Sequence, residues 1–254
     1  MGSCCLKVLR FSVRALAALI WVLAGLAFMA LTFALLGLQA RLWCKKYWSF
    51  ALLRLCGVQV TQHGTPLAQG AVLWVVNHVS WLDIFVLNCV RATAFVAKSE
   101  IRNWPLIGWL ARGADTIFIE RASRHAVHRA AQAMQQRFER AQAVGLFPEG
   151  TTSPGYTVLP FYANLFEPAR KAGAAIQPVA LRFYHYGVRS DFAAFVGEQT
   201  LIHNMWCVLG GSGTSVDMVF LPAIWDGEGD PPARAVLSRA AHSAIAQALL
   251  TQQS

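Results

Sequence analysis

From Ala15 to Leu38 the chain runs without a single charged side chain, through Leu-Ile-Trp-Val-Leu-Ala-Gly-Leu-Ala-Phe at its middle. As one helix this stretch is about 36 Å long, enough to cross the hydrocarbon core of a bilayer. A cleaved signal peptide fits less well, since its apolar core is shorter and is followed by a small-residue cleavage site. Lys7, Arg10 and Arg14 precede the stretch, and Arg41, Lys45, Lys46 and Arg54 follow it. That balance leans only slightly towards a cytoplasmic C-terminal side. Gly25 and Gly37 also leave room for a helix that enters and returns without spanning. Between Arg41 and Cys56, Trp43, Tyr47, Trp48, Phe50 and Leu53 alternate with cations. This suits an interfacial helix with aromatic rings at headgroup level, or a helix packed on the following domain. Residues 1–56 are therefore expected to form a membrane helix and an interfacial helix, and 57–254 the catalytic domain.

Composition points the same way. The 254 residues are 56% hydrophobic and only 14% charged, more apolar and less charged than an ordinary soluble domain. The formal charge of +9 is scattered rather than clustered. An anionic membrane surface, a phosphorylated ligand or nucleic acid are the partners such a charge suits. The hydrophobicity selects the membrane and argues against nucleic acid. Six cysteines show no CxxC or Cys/His metal spacing, so they read as reduced thiols facing the cytosol.

After Gly57, short apolar runs alternate with helical patterns. Val58 to Val60, Ala71 to Val76, Ala94 to Ala97, Thr116 to Ile119, Val144 to Phe147, Ile176 to Leu181, Phe192 to Val196 and Val216 to Leu221 read as strands. Helices are expected after Pro105, from a Ser123 cap through Phe138, from Ala163 to Ala172, and from Ala233 to Leu250. Strand alternating with helix predicts an α/β fold, a largely parallel mixed sheet flanked by helices.

The first long strand runs into Asn77-His78-Val79-Ser80-Trp81-Leu82-Asp83. A turn that folds Asp83 back on His78 lets the carboxylate hold one ring nitrogen protonated, leaving the other as a base. The pair also reads as a plain helix cap. Three polar clusters fall at C-terminal strand ends: His78/Asp83, Arg121, and Glu149 to Ser153. A parallel sheet gathers such ends on one rim, where open α/β sheets bind ligands. That convergence favours the catalytic reading.

The chain resembles the lysophosphatidic acid acyltransferase family of glycerolipid acyltransferases in four ordered blocks between about Ala71 and Ala180. These are the His-x4-Asp block at Asn77 to Asp83, Gly113 to Arg121, Phe147-Pro148-Glu149-Gly150-Thr151, and Ile176-Gln177-Pro178-Val179. The resemblance implies the glycerolipid acyltransferase fold, with His78 as general base and Asp83 orienting it. It also implies that Arg121, Glu149, Gly150 and Thr151, helped by Lys98, bind a phosphorylated head group. Arginine suits that task because its planar fork grips phosphate oxygens in pairs. The Pro178 block reads as structural. Thr152 and Tyr162 stand where many relatives carry a cation, which loosens the expected preference for phosphate.

The implied activity is transfer of a fatty acyl group to the free hydroxyl of a lysolipid, first lysophosphatidic acid, giving phosphatidic acid. A lyso-ornithine lipid is the alternative acceptor. The donor is acyl-acyl carrier protein or acyl-coenzyme A, with no further cofactor and no metal; His125 and His128 read as a solvated helix face. The catalytic domain is expected on the cytoplasmic face of a bacterial inner membrane. Two other classes stay in view. A serine hydrolase lacks Gly-x-Ser-x-Gly, and no suitable strand precedes Gly211-Ser212-Gly213. A basic membrane-binding module without chemistry would keep lipid binding once His78 is replaced.

Overall fold

A computed structural model describes residues 2–104, 106–120 and 124–251. The chain opens with two helices, α1 (Gly2–Thr32) and α2 (Leu38–Leu55), joined by a turn over residues 33–37. The uncharged stretch is therefore not one helix. Thr32 Oγ1 donates back to the Phe28 carbonyl at 2.7 Å, and extended Gly37 opens α2. The two helices exchange indole bonds: Trp21 Nε1 donates to the Trp48 carbonyl at 3.2 Å and Trp48 Nε1 to the Trp21 carbonyl at 3.4 Å. Gly25 permits this approach, because a Cβ there would stand 2.4 Å from Trp48 Nε1.

Among the described residues eight strands follow: β1 (Val58–His63), β2 (Val72–Val76), β3 (Thr93–Lys98), β4 (Ile117–Ile119), β5 (Ala143–Leu146), β6 (Ala175–His185), β7 (Val188–Arg189) and β8 (Thr214–Phe220). The sheet order is β1-β8-β6-β2-β5-β3-β4, with β7 on β6. β6, β2, β5, β3 and β4 run parallel, β1 is parallel to β8, and β6 pairs antiparallel with both β8 and β7. The expected largely parallel mixed sheet is present. The helices between and after the strands are α3 (Asp83–Asn88), α4 (Ile107–Gly113), α5 (Arg124–Glu139), α6 (Glu167–Lys171), α7 (Leu201–Gly210) and α8 (Arg234–Leu250).

β2 is buried on both faces, which is why it reads as a continuous apolar run. Val72, Trp74 and Val76 face Leu52 and Leu53 of α2 and Val208 and Leu209 of α7. Leu73 and Val75 face Met134 and Phe138 of α5 and Leu237, Ala241 and Ile245 of α8. Gln177, opposite Trp74, is buried and fully bonded. Its oxygen accepts from Leu67 N and Trp74 Nε1, and its amide donates to the carbonyls of Thr65 and Leu221.

Several sequence expectations change. Phe192 to Val196 is not a strand: Ala193 and Ala194 are buried, but the segment crosses the end of β2 as a strap, with Phe195 N donating to the Val79 carbonyl at 2.9 Å. A buried apolar run without alternation does not by itself say where its backbone bonds go. The expected helix from Ala163 to Ala172 is a 3-10 turn (Ala163–Phe166) leading into α6, where Pro168 lies in the first turn. α7 had no counterpart in the sequence reading; Thr200 caps it by accepting from His203 N at 3.2 Å. Ser123 lies outside the described residues.

The helical hairpin is docked rather than detached. The Arg14 guanidinium donates to the carbonyls of Leu209 and Gly211 at 3.2 and 2.7 Å, at the C-terminal end of α7. Lys45 of α2 donates to the carbonyls of Thr93 and Ala114, the latter at 2.7 Å. α2 thus buries Ser49, Leu52 and Leu53 against the domain while exposing Trp43, Tyr47 and Phe50. The two readings of this helix are one helix with two faces. Leu9, Leu16, Ile20, Leu31 and Leu35 on the hairpin, and Trp104 and Trp109 around α4, continue the exposed apolar surface. By length and composition, α1 can cross a membrane.

Candidate active site

The C-terminal ends of β2, β5, β3 and β4 share one rim because the four strands are parallel neighbours. At the end of β2, Asn77 is buried and clamps β6 with two bonds, donating to the Leu181 carbonyl at 3.1 Å and accepting from Leu181 N at 2.8 Å. The next residue leaves the sheet. Residues 78–82 turn so that Asp83, the first residue of α3, faces back on His78.

Asp83 is fully buried, and its Oδ2 accepts three bonds: His78 Nδ1 at 2.8 Å, Val79 N at 2.7 Å and Ser80 N at 3.0 Å. An oxygen already receiving two backbone N–H groups accepts from the ring as well, so Nδ1 carries the proton. Nε2 is then the lone-pair nitrogen, on a side chain 22% exposed. The imidazole stacks on Phe147 at 4.1 Å and 18°, and Phe147 stacks on Phe95 at 5.8 Å and 9°. One ring nitrogen is oriented by the carboxylate, and the ring plane is fixed by aromatic neighbours. A base for a hydroxyl proton needs this geometry.

Glu149 is buried and spends both carboxylate oxygens on backbone: Oε1 accepts from His78 N at 2.7 Å, Oε2 from Leu159 N at 2.9 Å. Burial pushes its carboxyl above the usual range, against the pull of those two N–H groups and of His78. It ties the start of the His78 turn to both ends of the loop after β5. Gly150 supplies a left-handed turn at φ +74. Thr151 is exposed. The Thr152 hydroxyl donates to the Phe195 carbonyl, and Ser153 N donates to the His78 carbonyl at 2.8 Å. Gly155, at φ +83, packs so tightly that a Cβ would stand 2.8 Å from Val79 Cγ2.

Lys98 ends β3 beside Ile119 and is exposed, two strands along the rim from β2. Arg121 lies outside the described residues. Tyr162 is exposed, its N–H donating to the Pro148 carbonyl at 3.0 Å. His78, Asp83 and Glu149 therefore form one bonded cluster, with Gly150 and Thr151 on the loop leaving it. Sequence reasoning missed the Phe95–Phe147 stack, the Asn77 clamp and the Phe195 strap. The Phe147-Pro148-Glu149 run and the Asn before His78 were the available signals; the strap had none.

A carboxylate-held histidine at the C-terminal rim of a doubly covered α/β sheet fits a transferase or hydrolase that activates a hydroxyl. The family model described as Acyltransferase matches residues 58–182, the span from β1 to β6 that holds this cluster. A lyso-ornithine lipid O-acyltransferase of Pseudomonas aeruginosa is 37% identical over 201 residues, 78% of this chain and 76% of that one. A 1-acyl-sn-glycerol-3-phosphate acyltransferase of Neisseria gonorrhoeae is 44% identical over 119 residues, 47% of each chain. The crystal structure of the 1-acyl-sn-glycerophosphate acyltransferase PlsC from Thermotoga maritima superposes with a TM-score of 0.69, covering 98% of both chains at 20% identity, a likeness of fold. The chain belongs to the acyltransferase family.

Proposed function

We propose that this protein is a membrane-bound O-acyltransferase that esterifies the free hydroxyl of a lysolipid with a fatty acyl group from a thioester. The His78–Asp83 bond at 2.8 Å carries the reading. Nε2 takes the hydroxyl proton as the oxygen attacks the thioester carbonyl. The C–O bond forms, the C–S bond breaks, and the proton passes from Nε2 to the departing sulfur. Asp83 stabilises the imidazolium formed between those steps. Glu149 acts through His78, since its oxygens are occupied by backbone; Lys98, Arg121 and Thr151 are the proposed contacts to the acceptor head group. The donor is acyl carrier protein or coenzyme A thioester.

Two acceptors are supported by different observations. The match to the lyso-ornithine lipid enzyme runs well beyond the catalytic blocks, and Thr152 spends its hydroxyl on Phe195, where a cation would favour phosphate. Higher identity over a shorter span favours lysophosphatidic acid. The apolar hairpin supports a place on the bilayer, and the reading assigns the domain to the cytoplasmic side. Purified protein in detergent, offered both lysolipids together with an acyl thioester, decides by mass spectrometry of the products. Preferential acylation of the lyso-ornithine lipid is expected. Exclusive formation of phosphatidic acid overturns that choice, and no ester from either overturns the proposed activity.

A further inference from the structure

We infer that a second, non-catalytic site for an anionic phosphate head group lies at the foot of α1, away from the His78 cluster. The first turns of α1, the β6–β7 turn, the strap and the end of α7 border an open cleft of about 320 Å³, in the size range of small-ligand sites. Lys7, Arg10, His185, Tyr186 and Ser212 line it, with the backbone of Gly210 and Gly211. No acidic side chain lines it among the described residues.

The donors are poorly occupied. Among the described residues Lys7 Nζ has no hydrogen-bond partner, and it rests 5.6 Å from the Trp206 ring. Arg10 makes one hydrogen bond among the described residues, to the Gly210 carbonyl at 3.3 Å, which leaves most of its fork for another partner. His185, stacked on Phe192 at 3.9 Å, forms part of the cleft wall. Ser212 and Tyr186 bond to one another through their hydroxyls and can turn a donor inward. Lys7 and Arg10 face one space with no carboxylate among the described residues, so their charges repel each other until an anion enters. A phosphate oxygen accepts from Lys, Arg and hydroxyl donors in one small volume.

The surroundings indicate a lipid. Leu6 lines the cleft, and Leu9, Val13 and Leu16 continue an exposed apolar stripe along α1. An acyl chain can lie along that stripe while the head group occupies the cleft, and a free anion gains nothing from it. The site would hold α1 against α7 at the bilayer, stabilising the docked hairpin.

The test uses the full chain in dodecyl maltoside and titration calorimetry with monomeric dihexanoyl phosphatidylglycerol, dihexanoyl phosphatidylcholine or inorganic phosphate. Saturable binding of phosphatidylglycerol is expected, weakened about tenfold or more by Lys7→Gln with Arg10→Gln, the loss of roughly one charge-assisted contact. Lys46→Gln with Arg54→Gln, an equal loss of charge elsewhere on the hairpin, is expected to leave it unchanged. If the Lys7/Arg10 pair fails to fold, Ser212→Asp, which sets a carboxylate in the cleft from a loop, is expected to weaken binding as much. Equal weakening by both charge pairs, or binding indifferent to Lys7/Arg10 and to Ser212→Asp, overturns the site. Equal affinity for phosphatidylcholine overturns the anionic requirement. Inorganic phosphate binding as tightly as phosphatidylglycerol overturns the lipid assignment.

Discussion

The His78 ring is held from three directions: by Asp83 at Nδ1, by Phe147 on its face, and by Glu149 through its own backbone N–H. These restraints differ in what their loss does. Asp83→Asn removes the charge that supports the imidazolium, and its amide can present only one acceptor oxygen. We expect a fall in kcat of about a hundredfold or more with little change in folding, measured as turnover against a thermal transition. Glu149→Gln presents an NH2 group to one of two N–H donors, so either His78 N or Leu159 N loses its acceptor. Turnover is expected to fall about tenfold or more, with a loss of stability on the order of 1–3 kcal/mol from the unpaired buried N–H. A Glu149→Gln protein with lost affinity for the acceptor but undisturbed kcat and stability would instead place Glu149 on the substrate. The residue pair His78/Asp83 was legible because its spacing allows a turn to close it. The structural duty of Glu149 was not, because a carboxylate after a strand looks the same whether it faces a ligand or backbone.

Among the elements, the strands of the parallel core were readable from their apolar length, and α8 from its periodicity. The strap, the split of the Ala163–Ala172 segment and α7 depend on contacts far along the chain, which local patterning does not report. The hairpin is the clearest case: Gly25 is a helix position whose meaning appears only when Trp48 is laid beside it. Gly25→Val is therefore expected to separate α1 from α2, seen as faster proteolysis at residues 33–37 in detergent, whereas Gly70→Ala, whose strain at φ +73 stays local to an exposed turn, should not give that cleavage. Lys45 ties α2 to the domain at a measurable cost. Burial lowers its ammonium to about 8 from 10.5, against the pull of Asp115. The folded state then binds fewer protons than the unfolded state between those values, so stability rises with pH across about 8 to 10.5 and is flat below. Chemical denaturation at stepped pH should show that rise, and Lys45→Met should abolish it.

At the scale of the molecule, the hairpin, with Trp43 and Tyr47, and the α4 region, with Trp104 and Trp109, expose apolar surface suited to a bilayer. A lysolipid can keep its acyl chain against that surface while its hydroxyl reaches Nε2. Removing residues 1–37 is expected to abolish vesicle binding largely, leaving the Trp43 and Tyr47 face as a weaker contact, as flotation would show. The composition made a membrane enzyme legible, and Gly25 and Gly37 left room for a returning helix, but nothing local said where the hairpin docks. That geometry comes from Arg10 and Arg14 meeting the end of α7 some two hundred residues later.

The most direct measurement is acyl transfer to lysolipid by the wild type and by His78→Ala, both purified in detergent and shown to share one thermal transition. The wild type should form the diacyl product, and His78→Ala should form it about a hundredfold to ten-thousandfold more slowly. Near wild-type transfer by a folded His78→Ala protein would contradict the role given to His78 and to the carboxylate behind it.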